Sequence, residues 1–197
     1  MATRGAQGES AGGNGAAMRI APAAFVVDPA SRKGRADIWD AVRITHRNDE
    51  AYAGALAIAS AIDAIASRAW PGPDSLLSIV AASIPDTLVR DRMVAISSTG
   101  VNREDFATGV RGSAAESVPV AIALAQRAAA EPFEQVLAAA IELGGDTDTV
   151  ASMVGQIAGA LVGARGLPPA LVEALPDRSR IATAALGVAR VAERARP

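Results

Sequence analysis

Two carboxylates and two hydroxyls stand side by side at Asp146, Thr147, Asp148 and Thr149, inside the stretch ELGGDTDTVASMVGQIAGALVG from Glu142 to Gly163. Oxygen donors of this kind suit a hard cation such as Mg²⁺ or Mn²⁺. The same residues open an almost uncharged helical stretch. There Asp146 near the N-cap and Asp148 in the first turn would both be favoured by exposed backbone N–H groups and by the positive end of the helix dipole. Spacing alone leaves metal binding and helix capping both open, although two acids and two threonines after Gly-Gly exceed what one cap requires.

Two further places could contact a ligand. In SAGGNGAAMR, Ser10 to Arg19, the glycines at 12, 13 and 15 around Asn14 permit positive φ and could gather backbone N–H groups into an anion nest sized for a diphosphate. A flexible N-terminal tail is the alternative. His46 is the only histidine, at the end of a predicted helix in ITHRND. As a neutral imidazole it could hydrogen-bond a sugar hydroxyl, or it could cap the helix end. The polar run SSTGVNREDFATGVRG, with Gly109 and Gly112, reads as a loop and a candidate binding element.

Helices must position these groups. Met18 to Val27 reads as a short helical or irregular segment broken by Pro22, and Asp28 to Gly34 as a loop. Apolar residues at helical spacing predict helices over Ala36 to Thr45 and Asp49 to Ala69. Further helices are predicted from Leu76 to Ile84, Asp86 to Ile96, Ala114 to Ala129, Pro132 to Leu143, Asp146 to Ala164, Pro169 to Leu175 and Ser179 to Ala195, with Gly144-Gly145 and Gly166 as stops. No convincing strand is found. Gly155, Gly159 and Gly163 recur every fourth residue, which predicts a groove packed closely against another backbone, because each glycine costs a helix about 1 kcal/mol against alanine.

Composition agrees with an all-α fold. The chain has 197 residues, half of them apolar but only 3% aromatic, so a core of alanine and aliphatic side chains on closely approaching helices is expected. One domain spanning 1–197 is expected, its first ten residues flexible. A net charge of −2 with scattered Lys and Arg gives no basic stripe, which argues against a nucleic-acid partner and for a small molecule. There is no cysteine, compatible with a cytoplasmic protein. Glycine, serine and charge interrupt the N-terminus where an export signal would need an apolar segment. Val150 to Ala164 falls short of the roughly 20 residues that span a bilayer, so no membrane association is expected.

Four blocks, GGNGAAMRIAP, ITHRNDEAYAGALA, GVRGSAAESVPVAIALA and LGGDTDTVASMVGQIAGALVG, resemble in order and chemistry the ADP-ribosylglycohydrolase family, of the ADP-ribosyl-acceptor hydrolase or dinitrogenase-reductase-activating glycohydrolase type. The resemblance runs from about Ser10 to Pro168, and GGDTDT followed by the glycine-stepped helix is its most specific part. It implies a compact orthogonal helical bundle with a binuclear Mg²⁺ or Mn²⁺ centre at the bottom of an ADP-ribose cleft. The metal ligands of the last motif map onto Asp146, Asp148 and Thr149. By the same resemblance Gly13, Asn14 and Gly15 would contact diphosphate and ribose, and His46 would lie along the ribose side. Gly112 and Ser113, with the following ESVP, would border the distal ribose and adenine.

The family's members begin with a Gly-Asp segment and a Thr or Ser before Asp-Asp, which carry the other metal ligands, with an acidic residue nearby for catalysis. Neither is found here. The resemblance therefore implies the C-terminal portion of such an enzyme, which in intact form hydrolyses the bond between ribose C1 of ADP-ribose and an acceptor. The residue serving as general base is not identified, and this chain alone is expected to bind metal weakly and turn over poorly. The alternative is a non-catalytic ADP-ribose-binding module or an inactive fragment.

Overall fold

Alanine, leucine and isoleucine occupy two thirds of the positions of Asp49–Ala66 and fall on every side of the helix, and a helix that is apolar nearly all round belongs inside a protein. This helix, α3, buries eleven residues, among them Leu56, Ile58 and Ile62. The structure, a computed structural model, describes residues 6–7, 12–72, 75–102 and 110–195. In chain order these form β1 (Ala6–Gln7), α1 (Gly15–Arg19), a 3₁₀ helix (Ala21–Phe25), α2 (Arg32–Val42), β2 (His46–Arg47), α3, α4 (Leu76–Ser83) and α5 (Leu88–Thr99). Then come α6 (Ala114–Ala125), a second 3₁₀ helix (Gln126–Ala129), α7 (Phe133–Glu142), α8 (Thr147–Gly166), α9 (Pro169–Glu173) and α10 (Arg178–Ala195). The fold is all-α.

Local chemistry sets the helix starts. The Asn48 side chain accepts hydrogen bonds from the Glu50 and Ala51 N–H groups at 2.8 and 3.3 Å, capping α3. Glu50 then reaches across to the first turn of α5, where its two oxygens accept from Leu88 and Val89 N–H at 2.9 and 3.0 Å. Thr87, at the N-cap of α5, makes no side-chain cap of its own. The carboxylate of one helix thus caps another.

The core forms where α3, α6 and α8 pack on one another, with α5 against α6 and α7 against α8. Helices α3 and α6 approach closely where they cross: a Cβ added to Gly54 would lie 3.0 Å from Ala114 Cβ and 3.2 Å from Val118 Cγ2. The row Gly155, Gly159 and Gly163 is not such a contact, contrary to expectation. A Cβ at Gly155 would only touch Leu137 at 3.7 Å, and nothing lies within 4 Å of one at Gly159 or Gly163. Gly163 has φ 66°, ψ 176° and breaks α8 there.

Several boundaries move for physical reasons. Helix α2 starts at Arg32 rather than Ala36, because Ser31 Oγ accepts from Gly34 N–H at 2.9 Å and caps it. Helix α5 absorbs the polar Ser97, Ser98 and Thr99, whose hydroxyls donate back to the carbonyls of Met93, Val94 and Ala95. Such hydroxyls can satisfy themselves within a helix as well as in a loop. Residues 103–109 of that expected loop, Gly109 among them, lie outside the described residues, as does the segment expected to be flexible apart from Ala6–Gln7. Strand pairing is present but minimal: β1 and β2 pair in parallel over two residues, and Gly13–Ser113 and Val110–Gly145 form single bridges. No described helix is long and apolar enough to cross a membrane.

Candidate functional site

Three segments far apart in sequence meet through the two single bridges. Asn14 N–H donates to Gly112 O at 3.0 Å and Ala114 N–H to Gly12 O at 2.8 Å, joining the glycine loop to the start of α6. On the other side of Val110, its N–H donates to Gly144 O at 3.1 Å and its O accepts from Asp146 N–H at 2.8 Å. Gly112 and Ser113 are therefore the middle of a three-stranded patch only a residue or two wide. Gly144 and Gly145 have φ of 73° and 78°, so two successive left-handed residues turn the chain from α7 into α8. A side chain at either would strain that turn.

Asp146 occupies the N-cap position of α8 but makes no side-chain cap. Capping does not explain it. Instead its Oδ2 accepts from Asn14 Nδ2 at 2.8 Å. The second Nδ2 hydrogen of Asn14 goes to Ser117 Oγ at 3.2 Å, and the Ser117 hydroxyl donates to Ser113 O at 2.7 Å. Burial pushes the Asp146 carboxyl up, but hydrogen bonding to the Asn14 amide and the Thr149 hydroxyl outweighs it and holds the group below its ordinary value. Gly112 leaves the carboxylate its room: a Cβ there would stand 3.1 Å from Asp146 Oδ2.

Asn14, Ser117 and Thr149 are the buried polar residues among those described, at 7%, 0% and 9% exposure. All three hydrogen-bond around Asp146, directly or, for Ser117, through Asn14. Asp146, Asp148 and Thr149 thus meet as oxygen donors at the mouth of one helix, a set whose chemistry fits Mg²⁺ or Mn²⁺. Among the described residues no cluster of three or more His, Cys, Asp or Glu side chains forms, so this chain's described contribution is two carboxylates and a hydroxyl.

His46 lies on the opposite side of the glycine loop. A Cβ on Gly13 would come within 3.3 Å of its Nε2, and one on Gly15 within 3.3 Å of its Cε1. It caps no helix, since α2 ends at Val42 and His46 begins β2. Its Nδ1 is 2.8 Å from Thr45 Oγ1, which also accepts from Arg19. Arg19 can only donate, so the Thr45 hydroxyl is free to donate to Nδ1, an arrangement that would leave the ring proton on Nε2, facing the loop. Burial first, and the neighbouring Arg19 charge second, lower the pKa of His46 and favour this neutral ring.

The loop does not form the nest that its glycines would permit. None of Gly12, Gly13 and Gly15 has positive φ, and Asn14 sits at φ −82°. Gly13 bridges to Ser113 and Gly15 begins α1 instead. The sequence reading also missed Arg111. Its main-chain N–H and its Nε donate to Glu116 at 3.0 and 2.9 Å, pinning the loop ahead of α6. The Arg111 hydrogen bond keeps Glu116 below the usual carboxylate range despite partial burial. Ser117 was legible in part, as the one hydroxyl inside the buried run ESVPVAIALA.

An uncharacterized protein of Escherichia coli K12, YegU, is 34% identical over 194 residues, covering 87% of this chain and 58% of that protein. A solved structure described as an ADP-ribosylglycohydrolase-related protein complex superimposes with a TM-score of 0.72 at 28% identity, covering 94% of this chain and 62% of that one. The chain thus spans less than two thirds of the length of each. The model of the ADP-ribosylglycohydrolase family matches residues 1–197, and the chain belongs to that family.

Proposed function

We propose that this chain takes part in metal-dependent hydrolysis of the glycosidic bond linking ADP-ribose to an acceptor, with Mg²⁺ or Mn²⁺ held by Asp146, Asp148 and Thr149. One observation carries the reading: the buried polar side chains of an otherwise apolar helical core gather on a single carboxylate. Buried polar groups cost free energy unless they satisfy one another or a ligand. Family membership supports ADP-ribose as the substrate class.

A cation held there would polarise substrate oxygens and make bound water more acidic. The chain's own residues present the donors and shape the approach. His46 Nε2–H faces the Gly13 and Gly15 loop, where it can donate to a hydroxyl or phosphate oxygen. Gly13, Gly15 and Gly112 carry no side chains that would fill the space beside His46 and Asp146. Ser113, bridged to Gly13, would with Gly112 border the distal ribose and adenine of a bound nucleotide.

The test is calorimetric titration of residues 1–197 with ADP-ribose in Mn²⁺, alongside an assay for ADP-ribose released from ADP-ribosylated peptide. Binding should weaken about tenfold or more in Asp148→Ala. Metal-dependent release abolished by Asp146→Ala establishes hydrolysis by this chain, and binding without release assigns it the role of an ADP-ribose-binding module. Absence of binding, or binding indifferent to both substitutions, overturns the proposal.

A further inference from the structure

We infer that Asn14 is a positioning residue for Asp146, held in its working orientation by Ser117, and that its side chain does not contact substrate. The inference rests on the metal-site reading above and deepens it. Every strong group of Asn14 but one is already committed inside the protein. Its N–H donates to Gly112 O at 3.0 Å, its main-chain O accepts from Met18 N–H at 2.9 Å, and both Nδ2 hydrogens are used, on Asp146 at 2.8 Å and Ser117 at 3.2 Å. At 7% exposure the side chain is turned into the protein.

The direction of each bond in this chain is fixed by elimination. Ser117 Oγ donates its only proton to Ser113 O at 2.7 Å, so toward Asn14 it can only accept. An ionised Asp146 can also only accept. The group between them must therefore donate twice, which an amide nitrogen does and a carboxylate, carbonyl or hydroxyl cannot. Reversing the Asn14 amide would set its oxygen against two acceptors. The amide has one stable orientation, and in it Nδ2 holds Asp146 Oδ2.

The position of the trio gives this a purpose. Asn14 lies at the N-cap of α1, Ser117 in α6 and Asp146 at the N-cap of α8, yet neither Asn14 nor Asp146 uses its side chain to cap its own helix. Groups that hydrogen-bond a metal-ligating carboxylate fix its geometry, and losing them weakens metal binding by about 10–100-fold. Gly112 leaves that oxygen the room to take this position, since any Cβ there would crowd Asp146 Oδ2 at 3.1 Å.

The experiment titrates residues 1–197 with Mn²⁺, following free ion by electron paramagnetic resonance and recording the spectrum of the bound ion, with circular dichroism as a check on folding. Wild type should bind, and Asp148→Ala should remove binding. Asn14→Ala should weaken binding about tenfold or more and broaden the bound-ion spectrum. Ser117→Ala should weaken it several-fold, and the double variant should be no worse than Asn14→Ala alone, because Ser117 acts through Asn14. A purely structural role for either residue would lower the melting temperature but leave the affinity and spectrum of the folded protein unchanged, and that result overturns the inference. If Asn14→Ala does not fold, Ser117→Ala decides by itself: wild-type affinity and spectrum reject the positioning role. If the wild type binds no Mn²⁺, or Asp148→Ala binds as well as wild type, the metal-site reading falls and this role with it.

Discussion

Helices α3 and α10 are each 18 residues long, each rich in alanine and each interrupted by one glycine. Yet α3 buries eleven residues and α10 none. The difference lies in charge. Between Glu50 and Asp63, α3 carries no charged side chain, whereas α10 carries Arg178, Arg180, Arg190, Glu193 and Arg194. Alanine makes both segments helical, but it is uninterrupted apolarity that places one in the core. Helix α10 rests against the 3₁₀ helix Ala21–Phe25, leaving Ile181, Leu186 and Val191 exposed.

The largest test of this contrast compares two leucines. Leu56 on α3 is fully buried and Leu186 on α10 is 61% exposed. Leu56→Ala should cost about 2–5 kcal/mol through lost burial and the cavity left behind, while Leu186→Ala should stay within about 0.5 kcal/mol. Urea unfolding of the two variants measures both. Equal losses would mean that α10 has a packing partner in solution and would break the comparison.

A second test addresses the crossing of α3 and α6. Gly54→Val must fit a branched side chain where even a Cβ would meet Ala114 at 3.0 Å and Val118 at 3.2 Å. Overpacking of this kind costs about 1–3 kcal/mol, to be read as a lowered melting temperature by calorimetry. An unchanged melting temperature would show that the two helices can separate without loss.

How much of this could be read from the residues differs between fold and site. The helices were legible, because apolar periodicity and Gly144-Gly145 as a stop are local signals. The close approach was not. A row of three glycines on α8 looked like the tight groove, while the single Gly54 in a run of alanines gave no such sign; which glycine meets a neighbour depends on how helices cross. In the site, Asp146, Asp148 and Thr149 stand together in sequence and could be seen as donors. What aligns Asp146 could not. Asn14 and Ser117 are 103 positions apart and are brought to it by bridges of one residue pair each, too short to leave any alternating pattern. Arg111 and Glu116 are separated by a helix start, so no helical charge spacing marks them.

The smallest effect gives the glycine contrast its other half. Gly187 on α10 and Gly159 on α8 both sit in helical backbone, and nothing lies within 4 Å of a Cβ built on either. Alanine at these positions meets no neighbour and needs no unusual φ, so the only change is the lower conformational entropy of the unfolded chain and a better helix former in the folded one. Gly159→Ala and Gly187→Ala should each stabilise by about 0.5–1 kcal/mol, measured by the same urea unfolding, and the two gains should add because the residues share no partner. Gly159→Ala is the more informative of the pair. The sequence pattern places Gly159 in a packed groove and so predicts a loss, whereas the open face of α8 predicts a gain. A loss at Gly159 beside a gain at Gly187 would mean that something covers the glycine face of α8 in solution, and would move that face from the open side of the comparison to the buried one.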